Sequence, residues 1–496
     1  MKKALFLGID IGTQGTKTVL CDSTGAVLAE AFCPSVLFRP DSETVYEEPV
    51  NILNSVISTV REITRKIGDE TAKQIVSVGI DAQMAGVMAI DRDFNAVTPL
   101  DSWLDSRCRE YTERIKNSVG DAAVLSSGGQ IIHSHASKIL WWKNKHPETY
   151  KNIYKFIQPN GFAAGKFCGI KAEDAFMDYT FLHFNVFSDN LNLRFNKELL
   201  SEFDVDPEKM PKIVSPDTVI GEILSEYAAE MGLPAGVKMI AGCGDTAASS
   251  LGAGITEKGL AYDVAGTASV FACCTDKFAP DTDNRTLLFG RSVCEGLFLP
   301  LSYISGGGLC LEWFSRITGK NFKELDRVAE NAVNKNVYFI PHFSGRTLPL
   351  DDNVSGAFLG LDATSDTGVM FRAIMESVAF EYKTYLDILL RSGALGGLNC
   401  VYGVGGGAKS RLFSQIKADV LGADYVSLAN ADSAPAAMAL LSAAGCGYIE
   451  KNYKKIFSHD GSANKTCSPN ETCKEESEIR AKKYLKLLNN YSNYIL

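Results

Sequence analysis

The stretch Asp10-Ile11-Gly12-Thr13-Gln14-Gly15-Thr16-Lys17 places a carboxylate, two glycines, two hydroxyls and an amine close together. In a tight hairpin, small residues let backbone N–H groups and the Thr13 hydroxyl approach phosphate oxygens, and Asp10 on the adjoining strand could hold a hydrated Mg²⁺. Lys17 would add a cation near the same phosphates. The competing reading is an ordinary hairpin in which Gly12 and Gly15 supply only turn geometry. A second Gly-Thr pair, Gly266-Thr267, also lies between two apolar runs, with Val264 where the first copy has Asp10. The two hairpins together suggest one metal position and two phosphate grips.

Other segments could carry chemistry of their own. Gly405-Gly406-Gly407-Ala408 joins an apolar strand to a helix expected to start near Lys409, a junction that offers close backbone approach and a helix N-terminus to a nucleotide. Gly306-Gly307-Gly308 precedes a helix in the same way. Asp245, in Gly242-Cys243-Gly244-Asp245-Thr246, ends an apolar strand and begins a helix. It is either a base for a substrate hydroxyl or the N-cap of that helix. Gln83 in Ala82-Gln83-Met84-Ala85-Gly86, with Trp103, Asp105 and Arg107, suits a polyol: amide, carboxylate and guanidinium for hydroxyls, indole for the carbon chain. The alternative is a core Trp103 beside a surface Asp105/Arg107 pair. His133 and His135 have no cysteine or third histidine nearby, which argues against a metal. GxSxG, HExxH and GxxxxGK[ST] are absent, so nothing points to a serine hydrolase, a zincin or a P-loop kinase.

The elements that must position these groups are short strands and helices in alternation. ALFLGID, KTVLCD and AVLAEAF read as an antiparallel meander. After Pro49, the apolar residues Val50, Leu53, Val56, Ile57, Val60 and Ile63 follow helical spacing to Gly68. The strands IVSVGID and GVMAID follow. The chain is of the α/β class. Residues 237–275 repeat the strand, Gly-Thr turn, strand layout of the N-terminus, which predicts two related domains, 1–244 and 245–448. A tail, 449–496, carries a charged stretch that reads as a surface helix.

The chain has 496 residues, room for two to four domains at about 100–200 residues each. With 46% hydrophobic and 22% charged residues it has an ordinary globular composition. A net charge of -9 gives no overall basic field for nucleic acid or an anionic membrane, so any phosphate must be gripped locally. Thirteen cysteines without CxxC spacing indicate a reduced, cytoplasmic compartment. No signal peptide or membrane span is expected.

Taken in order, GIDIGTQGTK at 8, YEEP at 46, AQMAG at 82, WLDSR at 103, ASKILWW at 136, GCGDTAA at 242, GTAS at 266, GGGLCLEW at 306, GAFLGL at 356, FRAIMESVAFE at 371 and GGGAKS at 405 resemble the FGGY carbohydrate kinases. The resemblance runs from Gly8 to about Ala444 and is closest to the members that act on xylulose. It implies two ribonuclease-H-like (actin-like ATPase) domains around a central cleft where ATP and sugar meet. It implies that Asp245 is the catalytic base and Asp10 the acid nearest Mg²⁺. Thr13, Gly266, Thr267, Gly308, Gly406, Gly407 and Ser410 become ATP contacts, joining Lys17. Gln83, Met84, Asp245, Thr246 and His133 become sugar contacts. The implied reaction is ATP-dependent phosphorylation of a primary hydroxyl of a ketopentose, D-xylulose first. Ribulose, gluconate or a polyol are alternative substrates, and a non-catalytic nucleotide-gated sugar-binding protein is an alternative class. A homodimer is an assembly the resemblance allows. Three departures stand out: Ala85 where the xylulose-directed members usually carry His, Thr246 where Asn often follows the base, and apolar Val369 and Met370 where a polar residue is expected.

Overall fold

The computed structural model describes residues 4–343, 345–351, 353–428, 433–458 and 465–494. The chain divides into two compact units. Unit 1 comprises Met1–Gly254, Phe289–Gly296 and Asp432–Ser458; unit 2 comprises Ile255–Leu288, Leu297–Ala431 and His459–Leu496.

Unit 1 is built on a twisted mixed sheet. The hairpin strands β1 (Leu5–Ile11) and β2 (Gly15–Cys21) pair antiparallel, with β3 (Val27–Pro34) beyond β2. After α1 (Pro49–Ile67), β4 (Ile75–Ala82) runs parallel to β1. Next come α2 (His135–Lys145), β5 (Lys238–Ile240) and β6 (Cys243–Gly244), the last two both parallel to β4, and then α3 (Asp245–Gly252). Alternation along β1 sends Leu5, Leu7, Ile9 and Ile11 into a core with Ile52, Val56, Val60 and Ile63 of α1. The buried stripe of α1 is rotated from the predicted one: Val50 is exposed, and Ser55 and Thr59 are buried instead. Their hydroxyls meet Thr16 at 2.6 Å and Thr18 at 2.7 Å, so polar pairs replace apolar contact under β2.

Unit 2 repeats the plan. β7 (Leu260–Ala265) and β8 (Ser269–Cys273) form the hairpin, β9 (Phe298–Ile304) pairs with β8, and α4 (Gly307–Thr318) and α5 (Phe322–Glu330) follow. The long α6 (Thr367–Arg391) leads to β10 (Cys400–Val404), parallel to β7, then α7 (Arg411–Leu421) and β11 (Asp424–Ser427). Both units therefore share the antiparallel hairpin that the internal repeat predicted, and in each its first strand pairs in parallel with a later one.

The chain then returns to unit 1. Helix α8 (Ser433–Gly445) covers the second face of its sheet, packing on β1, β4 and α3. The approach needs glycine: a Cβ on Gly8 would lie 1.6 Å from the Pro435 carbonyl oxygen. This is why the compact units do not follow the 1–244, 245–448 and 449–496 division read from the sequence. Residues 245–254 and 433–458 pack with the first unit.

The tail helix lies on the surface, as its charges suggested, but it buries one face. After β12 (Lys465–Cys467), α9 (Lys474–Tyr494) fully buries Tyr484 and Leu488 in unit 2. Tyr484 donates to Glu381 of α6 at 2.7 Å, and Arg480 pairs with Glu376 at 2.7 Å. No helix among the described residues is long and apolar enough to cross a membrane, and no disulfide joins any of the cysteines.

Candidate active-site residues of the two units

Three strand ends in unit 1 converge on carboxylates. Asp10 of β1 is in register with Asp81 of β4, and Asp81 in turn with Cys243 of β6, two residues before Asp245. Residues in register on parallel strands share a face, so the Asp10 and Asp81 carboxyls sit side by side. Asp81 is fully buried, and burial, followed by the charge of Asp10, a hydrogen bond to Asp10 and the charge of Asp245, pushes its carboxyl well above the usual range. Burial and then Asp10 raise Asp245 to about 7. Such a crowd of oxygen donors suits a hard cation. Mg²⁺ commonly takes one or two carboxylates plus water and phosphate, so the lack of any cluster of three potential ligands among the described residues does not conflict with it.

Asp245 is not the N-cap of α3. Gly244 occupies that position, and Asp245 is the first helical residue, accepting from the Thr246 backbone N–H at 2.6 Å and its hydroxyl at 3.2 Å. The turn before it is held from below. Gly244 N–H donates to Thr180 Oγ1 at 2.9 Å, Thr180 donates to Asp178 at 2.5 Å, and Asn160 bridges Asp178 to the Ala241 carbonyl. Asp178 is buried, which raises its carboxyl to about 7.

Thr13 sits in the β1–β2 turn and accepts from the indole of Trp103 at 2.8 Å, leaving its hydroxyl proton for another acceptor. Trp103 is 44% exposed rather than core, and Asp101 and Asp105 are buried, both bridged by Arg107 at 2.7 and 2.8 Å. Neither the core Trp nor the surface pair of the competing reading occurs. Lys17 faces the same side as its cross-strand partner Asp10, and Glu30 of β3 pairs with it at 3.3 Å. Gln83 is 1% exposed, and both polar atoms of its side chain lack a protein hydrogen-bond partner. Met84 is packed with Met177, Tyr179, Phe181 and Leu182, against Gly244. Ala85 takes a left-handed φ of 61°, a strained choice for a residue with a Cβ. His133 is only half-buried and bonds Thr112 through Nδ1 at 2.8 Å. The imidazole beside the Gly86 backbone is instead His135, fully buried and kept neutral by burial, its pKa lowered to about 3.

In unit 2, Gly266, Thr267, Gly308, Gly406, Gly407 and Ser410 all line one cavity of about 570 Å³. The fit of α4 against the hairpin requires Gly308, where a Cβ would lie 2.0 Å from the Gly266 carbonyl oxygen. Leu309 N–H closes the junction on the Thr267 carbonyl at 3.0 Å. Ser410 caps α7, accepting from Phe413 N–H at 3.2 Å. Leu311, Phe322, Phe371 and Met375 give the same cavity an apolar wall.

Asp81 escaped the sequence reading. Its signal was present, since Gly79-Ile80-Asp81 repeats Gly8-Ile9-Asp10 at the end of a second apolar strand. Thr180 and Asp178 had no such signal, because their role depends on a contact across the fold.

Two repeated ribonuclease-H-like units, one with a carboxylate-rich strand-end cluster and one with a glycine-lined cavity, describe a phosphotransferase of the actin-like ATPase fold. Residues 5–252 match the N-terminal domain of the FGGY family of carbohydrate kinases and residues 261–445 match its C-terminal domain, so the chain belongs to that family. It is an ATP-dependent carbohydrate kinase. The chain is 24% identical over 450 residues to a xylulose kinase of Bacillus subtilis (strain 168), covering 90% of this chain and 89% of the relative. It is 26% identical over 491 residues to a gluconokinase of Bacillus licheniformis, covering 95% and 93%. Its fold superposes on a gluconate kinase from Lactobacillus acidophilus with a TM-score of 0.90 at 22% identity, over 99% of both chains.

Proposed function

We propose that the enzyme phosphorylates a primary hydroxyl of a neutral ketopentose, D-xylulose to xylulose 5-phosphate, with Asp245 as the base. The single observation that carries the assignment is Asp245 itself: a partly accessible carboxylate at a helix start, raised to about 7, and therefore able to take a proton near neutral pH. Its turn is fixed by Thr180, so the oxygen not engaged by Thr246 has a defined direction. Gln83, with its amide unmet by protein, and Thr246 would bind sugar hydroxyls, while Met84 forms the apolar floor. The Gly-Thr hairpins and the glycine turns of the unit 2 cavity would hold ATP. Asp10 and Asp81 would hold Mg²⁺, which when bound offsets phosphate charge in such reactions.

Relatives named for xylulose and for gluconate match with similar identity, so charge must decide between them. The side chains assigned to the sugar, Gln83, Met84 and Thr246, carry no charge and suit a neutral sugar rather than an aldonate carboxylate. Ala85 favours the second reading, a kinase for gluconate or a polyol, since it removes a polar contact expected at the ketose. Measuring ADP release with D-xylulose, ribulose, gluconate and sugar alcohols tests the choice. Turnover with gluconate exceeding that with every ketose would refute the proposal, and ATP turnover that no sugar accelerates would refute a kinase of any of these.

A further inference from the structure

Helix α5 enters the unit 2 cavity with Phe322 and Asp326. Four residues apart, they stand on one helix face about 6 Å from each other along the axis. Phe322 is 48% exposed although it lines a cavity, an open ring beside the apolar Leu311, Phe371 and Met375. That wall suits the face of a base. Asp326 sits at the other end, lining the cavity with Ser410, where the Gly405–Gly407 turn finishes, and the Ser410 hydroxyl draws its carboxyl down against burial. The glycine turn is where phosphate belongs, and between phosphate and base a nucleotide has only its sugar.

Ser410 already accepts from Phe413 N–H, and its hydroxyl lies near enough to Asp326 to favour that carboxyl's charged form. The carboxylate of Asp326 has lone pairs to spare, since two oxygens can accept about four donors. It is half-buried and lines the cavity. Burial raises its pKa, so a further donor would favour the charged form.

We propose that Asp326 is a specificity residue for the nucleotide, accepting a hydrogen bond from the ribose 2′-hydroxyl while Phe322 stacks on the base. A carboxylate set against ribose hydroxyls is a pairing that other nucleotide folds also use. The proposal rests on the assignment of this cavity to ATP. Ser410, an ATP contact in the sequence reading, keeps that place beside Asp326, which takes the ribose.

The test is calorimetric binding of ATP, 2′-deoxy-ATP and ITP to the full-length protein, to Asp326→Ala and to the near-isosteric Asp326→Asn. A hydrogen bond to a charged acceptor corresponds to about 10- to 100-fold in affinity. The wild-type protein should bind ATP tighter than 2′-deoxy-ATP by that factor. Asp326→Ala should lower ATP to the level of 2′-deoxy-ATP and leave 2′-deoxy-ATP unchanged, and Asp326→Asn should retain part of the preference. Equal wild-type affinity for ATP and 2′-deoxy-ATP, or equal losses for both in Asp326→Ala, would overturn the proposal. So would a variant that loses only the preference for ATP over ITP, which would make Asp326 a reader of the adenine amino group. Wild-type protein that bound no ATP at all would remove the cavity assignment, and this proposal with it.

Discussion

Asp10 and Asp81 stand opposite each other on parallel strands, and the residues in the same register of unit 2 are Val264 and Val404. The cross-strand neighbour changes in step, from Lys17 to Val270. One fold plan thus carries a charged strand-end cluster in one copy and an apolar one in the other. Of these two strand-end clusters, the first carries the oxygen donors that a cation would need.

Asp81→Asn tests that division. Removing one of two crowded buried carboxyls should leave the metal-free protein as stable or more stable, by about 1 kcal/mol. The same variant should need at least about tenfold more Mg²⁺ for half-maximal kinase rate, an expectation from the loss of one hard ligand. Thermal unfolding in chelator and an Mg²⁺ titration of the rate measure both. A clear fall in metal-free stability would mean that Asp81 serves packing.

The pH dependence follows from Asp245. A base must be deprotonated, so kcat/KM should rise tenfold per pH unit up to about pH 7 and level off above it. Activity flat down to about pH 5 would contradict the base assignment. Linkage gives a second, opposite signature in the apo protein. Folded Asp245 binds its proton more tightly than the unfolded chain, whose Asp titrates near about 3.9. Between those values stability should fall as pH rises, and flatten above about 7. Unfolding temperatures from pH 5 to 8, compared with Asp245→Asn, isolate this contribution.

Asp245→Asn itself should lower turnover by about two to four orders of magnitude, the usual contribution of a positioned base, with sugar binding retained. Single-turnover rates with a sugar-binding titration separate the two. Near-normal turnover would exclude the role.

Thr180→Val keeps the side-chain shape but strips the acceptor for Gly244 N–H and the donor to Asp178. Leaving buried polar groups unmet should cost about 1–3 kcal/mol of stability. Since the turn positions Asp245, kcat should fall while KM for ATP holds. A loss in KM for ATP with kcat intact would show that the network positions something else.

Tyr484→Phe should also destabilise, by about 1–3 kcal/mol, because the buried Glu381 carboxylate loses a donor. The charge of Arg346 and bonds from His342 and Tyr484 hold that carboxyl well below its usual range against burial. Its contribution is therefore present at neutral pH and lost in acid, below the titration of an unfolded Glu near about 4.3. A denaturant titration at pH 7 and pH 3 reads the difference.

Local pattern made much of this visible. The hairpin glycines, the paired Gly-Thr turns and the strand ending before Asp245 are all short-range features, and each is where the sequence placed it. The covering of the first sheet by α8 is not short-range, since it joins residues more than four hundred positions apart and depends on glycines that look like ordinary strand residues. The tail was legible only in part. Its charges suggest solvent and most of its helix is exposed, but Arg480 and Tyr484 meet Glu376 and Glu381 inside the unit.

The return of α8 has a consequence for synthesis. Until the ribosome has made residue 445, the face of β1 and β2 carrying Phe6, Val19 and Cys21 lacks the Ala439 and Ala443 that cover it. The first unit to begin is thus unable to close its own sheet while the second is being translated, and the nascent chain carries an uncovered apolar surface through most of its elongation. A truncated product ending before α8 would be a liability for aggregation, so the integrity of the carboxylate site is tied to completion of the chain.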